Sequence, residues 1–158
     1  FKKHNSFFNL CAILIAVLLF AWQQAREERQ RQDEVVNQFF KYEVSLREEN
    51  NRNNFHLEDI LTDLPRDEDT MFWRDFSTRS YVEFWDYIHL QKSQDCKDAY
   101  MALTLDLNSL NNINTLRRKV MMDPIKRGFQ NHFDRALIKA ASSTKPVLDH
   151  IIGNCQQF

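Results

Sequence analysis

Two glycines and three prolines in 158 residues leave this chain almost without turn formers, and neither Asn-Gly nor Asp-Gly occurs in it. A β-rich fold of this length needs many tight turns built from those residues, so their scarcity argues for helices. The same scarcity removes phosphate-cradling glycine loops. No GxSxG, HExxH or CxxC is present either, so the usual frameworks for loop-based catalysis are missing. Neither sign of charge dominates, with a net charge of -1. A near-neutral chain without a base-reading motif argues against a nucleic-acid partner. At 43% apolar and 13% aromatic residues, the chain is too hydrophobic to be disordered.

The most pronounced feature present is residues 7–22, FFNLCAILIAVLLFAW, sixteen residues whose one polar side chain is Asn9. As a helix rising about 1.5 Å per residue this run covers roughly 24 Å, near the lower limit for a bilayer core. Phe7 and Phe8 at one end and Phe20 and Trp22 at the other lie at interfacial depths. Lys2 and Lys3 stand where snorkelling cations belong. Residues 7–22 are therefore expected to contact membrane lipid as a single transmembrane helix. Two other readings are a buried core helix and a cleavable signal peptide. The second would need small residues before Arg26, where Gln23 and Ala25 make a poor cleavage site.

The remaining 135 or so residues suffice for one domain. The expected organisation is an anchor over residues 1–25 and an all-α domain over 26–158, a compact bundle of five to six helices. The anchor helix should continue to about Glu49, since Glu27 and Arg31 pair favourably at i,i+4 and Val35, Phe39, Tyr42 and Leu46 recur with helical spacing. Val36 and Phe40 widen that stripe, which could serve self-association as well as packing. Asn50, Asn51, Asn53 and Asn54 favour turns and should end the helix. A second helix is expected over 56–63. A third over 71–92 should form the aromatic, most buried centre, with Trp73, Phe76, Phe84, Trp85 and Ile88 on one face.

Ser93 or Asp95 should cap a fourth helix whose face is Tyr100, Leu103, Leu107 and Leu110, interrupted within the Asn-rich stretch 108–115. Asp123-Pro124 should open a fifth helix over 124–141 with Ile125, Phe129, Phe133, Leu137 and Ala140 inward. A short last helix should start near Pro146 and stop at Gly153.

Residues 26–69 hold seven basic and thirteen acidic residues, whereas 70–158 hold twelve and nine. The basic residues concentrate at Arg117, Arg118, Lys119, Lys126, Arg127, Arg135, Lys139 and Lys145, a surface for phosphates or for the acidic first half. Tyr81 and Tyr87, whose hydroxyls need a partner, are expected at the edge of a contact surface, with Arg117, Arg118, Lys119, Lys126 and Arg127 completing it. Asp86 and His89 resemble half of a di-iron carboxylate–histidine pair, without the second half. His132, His150 and Cys155 are the other conceivable ligands, for zinc. Neither set makes a site, so no metal, cofactor or catalytic residue is expected. Cys11 lies in the anchor, leaving Cys96 and Cys155 able to pair in an oxidising compartment.

These features lead to the expectation of a single-pass membrane protein whose helical domain is an interaction or assembly module, a non-catalytic subunit of a membrane complex, with homo-oligomerisation as a further option. A sensory domain acting through a partner and a membrane-tethered helical enzyme or metal-binding protein are the alternatives. The lysine-then-apolar start leans narrowly toward an extracytoplasmic domain, against Arg26, Arg29 and Arg31 on the other side of the anchor.

Overall fold

A computed structural model describes residues 2–64 and 75–156, with side chains from residue 12 onward. Five α-helices are described: α1 (Lys2–Thr62), α2 (Arg79–Glu83), α3 (Trp85–Gln91), α4 (Gln94–Met122) and α5 (Gln130–His150). A 3-10 turn (Arg127–Phe129) precedes α5 and a π turn (Ile151–Cys155) ends it. No strand occurs among the described residues, as the shortage of turn formers implied. The chain divides into two compact units, residues 1–40 and 41–158.

The first unit is helix throughout its described length. Ile13, Leu14, Ile15, Val17, Leu18, Leu19, Phe20 and Trp22 are all more than half exposed. At about 100° per residue those positions reach every side of the helix, so this stretch has no polar face. Among the described residues no helix is long and apolar enough to cross a membrane. The first part of the expected span, residues 7–11, lies outside the described side chains.

The second unit is built on one repeating pattern. From α1, residues Glu43, Leu46, Asn50, Asn53, Leu57, Ile60 and, just past its end, Leu64 are buried. From α4 the buried set is Cys96, Tyr100, Leu103, Leu107, Leu110, Asn114 and Arg117, and from α5 and its π turn it is Gln130, Asp134, Leu137, Ala141, Thr144, Leu148, Ile151 and Cys155. Each series alternates steps of three and four, the 3.5-residue period with which near-parallel helices keep one face together. Helices α4 and α5 are antiparallel, since Cys96 meets Cys155 and Arg117 meets Asp134. The 41–62 part of α1 runs parallel to α4, with Glu43 against Lys92 and Asn50 against Tyr100.

Several boundaries differ from expectation, and packing explains them. Helix α1 does not stop near Glu49 but continues through the asparagines to Thr62, absorbing the separate helix over 56–63. Asn50 and Asn53 are fully buried and their amides find partners across the bundle, so they do not compete with the helix backbone. Likewise α4 crosses the 108–115 stretch unbroken. Its first turn is capped as expected, the Ser93 hydroxyl accepting from the Cys96 amide at 3.3 Å.

Asp123 does not begin the fifth helix. It ends α4 and accepts from the Ile125 amide at 3.0 Å, a side-chain-closed turn that postpones α5 to Gln130. Ile125 and Phe129 are therefore exposed rather than inward. Pro146 starts no new helix but sits inside α5. An interior proline costs about 3 kcal/mol. The buried run Thr144, Leu148, Ile151 and Cys155 on either side keeps the segment helical, and Gly153 falls within the π turn instead of stopping it.

The largest correction concerns the aromatic segment. Residues 71–74, including Trp73, lie outside the described residues, residues 75–78 are irregular, and two short helices meet at Phe84. Phe76, Tyr81 and Ile88 are buried there, but Phe84, Trp85 and Tyr87 are half-buried, and Val82 and Leu90 are exposed. The segment lies over the long helices with one face outward, and α4 supplies more of the core.

Candidate interaction surfaces

The connecting segment is fastened by side-chain amides. Asn53 on α1 grips Ser77, its Nδ2 donating to the Ser77 carbonyl at 2.7 Å and its Oδ1 accepting from the Ser77 amide at 3.0 Å. Asn111 on α4 grips Phe76 in the same way, at 2.9 and 2.7 Å. Two irregular residues thus have their backbone groups satisfied from both sides, as burial of an unpaired peptide requires. Glu49 then meets the start of α2, accepting from the Ser80 amide at 3.0 Å and the Ser80 hydroxyl at 2.8 Å.

Deeper in, Tyr81 donates to Asn50 Oδ1 at 2.6 Å and accepts from Asn53 Nδ2 at 3.0 Å, while Tyr100 accepts from Asn50 Nδ2 at 3.3 Å. Glu43 accepts from the Tyr87 hydroxyl at 2.5 Å and is paired with the buried Lys92. At the far end of α4, Arg117 is fully buried and paired with Asp134. The polar groups inside the bundle thus align α1, the connector, α4 and α5 with one another.

That network settles where the expected surface residues stand. Tyr81 and Arg117 are buried rather than at a surface edge, a correction that follows from the amide and carboxylate groups that receive them. Tyr87 is half-buried and turned toward Glu43, with Tyr42 beside it at 5.3 Å between ring centroids. Arg118 pairs with Asp75 at 2.5 Å. Lys119, Lys126 and Arg127 remain exposed around the turn between α4 and α5, with Lys126 3.0 Å from Asp123. This pairing, with the Ile125 amide, holds the Asp123 carboxyl below its ordinary range.

Burial raises the tyrosine hydroxyls. It acts most strongly on Tyr81, where the Asn53 hydrogen bond only partly opposes it, and pushes Tyr100 up to about 12 with Asn50 opposing and Glu43 adding to the shift. An acid whose proton is held more tightly in the folded state loses stability as pH rises, because the unfolded chain ionises first, near pH 10. Urea midpoints of the bundle are therefore expected to be flat to about pH 10 and then to fall. Tyr81 and Tyr100 both contribute to that fall, because each holds its proton more tightly in the folded state. A midpoint unchanged between pH 9 and 11.5 would contradict the buried network.

The candidate metal ligands of the sequence stand apart from one another. Cys155 is consumed in a disulfide with Cys96, with Cα atoms 5.6 Å apart. His150 lies 2.8 Å from Asp95, while His132, Asp86 and His89 are each exposed, His89 stacked on Trp85. Among the described residues no group of three or more His, Cys, Asp and Glu could hold a metal ion.

Two exposed apolar features were not foreseen from the sequence. A groove of about 370 Å³ is lined by Tyr81, Val82, Trp85, Met101, Thr104 and Leu105, so Trp85 borders an opening instead of filling the core. At the α4–α5 turn, Met122, Ile125 and Phe129 are each well over half exposed, Ile125 at 92%. Met101 and Leu105 depart from the buried period of α4, a signal visible in the sequence. The turn residues gave a misleading signal because Asp123-Pro124 reads as a helix start. Comparison with protein-family models, with curated proteins and with solved structures finds no match to this chain.

Proposed function

We propose that this protein is a single-pass, membrane-anchored helical module, a non-catalytic subunit that binds other components of a membrane complex. The observation that carries the reading is the exposure of residues 13–20 on every side of α1. A helix apolar all round is stable in lipid or inside a larger protein, and residues 7–11 extend the same apolar run toward bilayer length. Val35 and Val36, exposed further along α1, are where a partner helix or a second copy would seat. The Cys96–Cys155 disulfide supports an extracytoplasmic domain, because such bonds persist in oxidising compartments. A second reading, a sensory domain, draws on the groove beside Trp85, whose volume suits a small apolar ligand.

Membranes containing the full chain should retain it after washing at about pH 11. The bundle loses stability there, so retention reports the apolar helix and not a folded surface contact. Leu14→Arg with Leu18→Arg should release it. Parent protein appearing in the wash would refute the anchor.

A further inference from the structure

The turn joining α4 to α5 has properties that neither the core nor an anchor explains. Within eight residues it exposes Met122, Ile125 and Phe129, and Ile125 at 92% protrudes almost as an isolated side chain would. Lys119, Lys126 and Arg127 surround them, and Arg135 and Lys139 continue the positive charge along the exposed face of α5. Asp123 is the one acidic residue between Lys119 and Arg127. Asp134 is occupied by Arg117 and does not offset the exposed cations. Within residues 41–158 the turn lies at the far end of α4 from Lys92, which pairs with Glu43.

We infer that the α4–α5 turn is a docking tip for an anionic lipid surface, with Met122, Ile125 and Phe129 entering between headgroups and Lys119, Lys126 and Arg127 meeting phosphates. Protruding apolar side chains ringed by cations suit a deformable, negatively charged interface. A protein partner would have to offer a matching pocket for a side chain as exposed as Ile125. The inference does not depend on the proposed anchor. A chain without an anchor would bind through the tip alone.

The test uses the full chain, in nanodiscs of neutral phosphatidylcholine if it inserts and free in solution if it does not, titrated with sedimentable vesicles. The vesicles are pure phosphatidylcholine or phosphatidylcholine with about a third phosphatidylserine. Binding is expected for the anionic vesicles only, weakening as salt rises. Lys126→Glu with Arg127→Glu, and separately Ile125→Ser with Phe129→Ser, should each weaken it roughly tenfold or more. Their thermal melts should match the parent, because these side chains lie outside the core. Equal binding by parent and both variants, binding to neutral vesicles alone, or no binding would overturn the inference. So would self-association that is lost in the Ile125→Ser, Phe129→Ser variant while vesicle binding is absent, which would assign the tip to a second copy. Failure of insertion leaves the tip measurable, so the two readings fail separately.

Discussion

Arg117→Ala is expected to destabilise the bundle by about 3–5 kcal/mol, more than most single truncations of an aliphatic core residue. The guanidinium is fully buried between α4 and α5 and paired with Asp134, whose side chain is itself largely buried. Removing the cation leaves a carboxylate in the interior without compensation, and that desolvated charge accounts for most of the loss. Replacing both partners by apolar residues, Arg117→Met with Asp134→Leu, removes the pair together with its desolvation penalty. That variant should melt near the parent or above it. Urea denaturation followed by circular dichroism on the three proteins tests this. A single variant within 1 kcal/mol of the parent would show that the pair is hydrated and not buried.

Loss of the Cys96–Cys155 disulfide should be nearly as costly. The bond closes a loop across a sequence separation of 59 residues, linking the first turn of α4 to the π turn after α5. Restricting the unfolded chain by a loop of that length is worth about 4 kcal/mol on the entropy model. Cys96→Ala with Cys155→Ala, or reduction, is therefore expected to lower the melting temperature by roughly 10–20 °C. Non-reducing peptide mapping of native material reports at the same time whether the two cysteines pair in the cell. A melt indifferent to reductant, with the bond shown to be present beforehand, would mean that these ends stay together without it. The two predictions probe opposite ends of the α4–α5 pair, so their effects should add.

Taken together, the polar residues of the bundle explain its arrangement better than its aromatics do. Glu49, Asn53 and Asn111 position the irregular segment that carries Phe76 and Ser77. Asn50 ties both core tyrosines to α1. An apolar replacement could fill the same volumes but would leave unpaired the groups that meet at the observed alignment of the helices.

By itself the sequence determined the helical class, through the scarcity of glycine and proline. It also determined the inward face of α4 from Tyr100 to Leu110 and narrowed its cap to Ser93 or Asp95, because spacing and capping act within a few residues of chain. It marked residues 7–22 as an apolar run and Cys96 and Cys155 as able to pair. Tertiary structure alone decided that Asn50, Asn53 and Asn111 are helix-interior residues, because their partners lie 24 to 50 positions away along the chain. It also moved Tyr81 and Arg117 from an expected surface into the core, turned Trp85 toward a groove and left Ile125 exposed. The physical reason is common to all of these. A polar side chain is read locally as a surface or turn residue, and an aromatic one as core, until a distant helix supplies the hydrogen bond or fails to supply the cover.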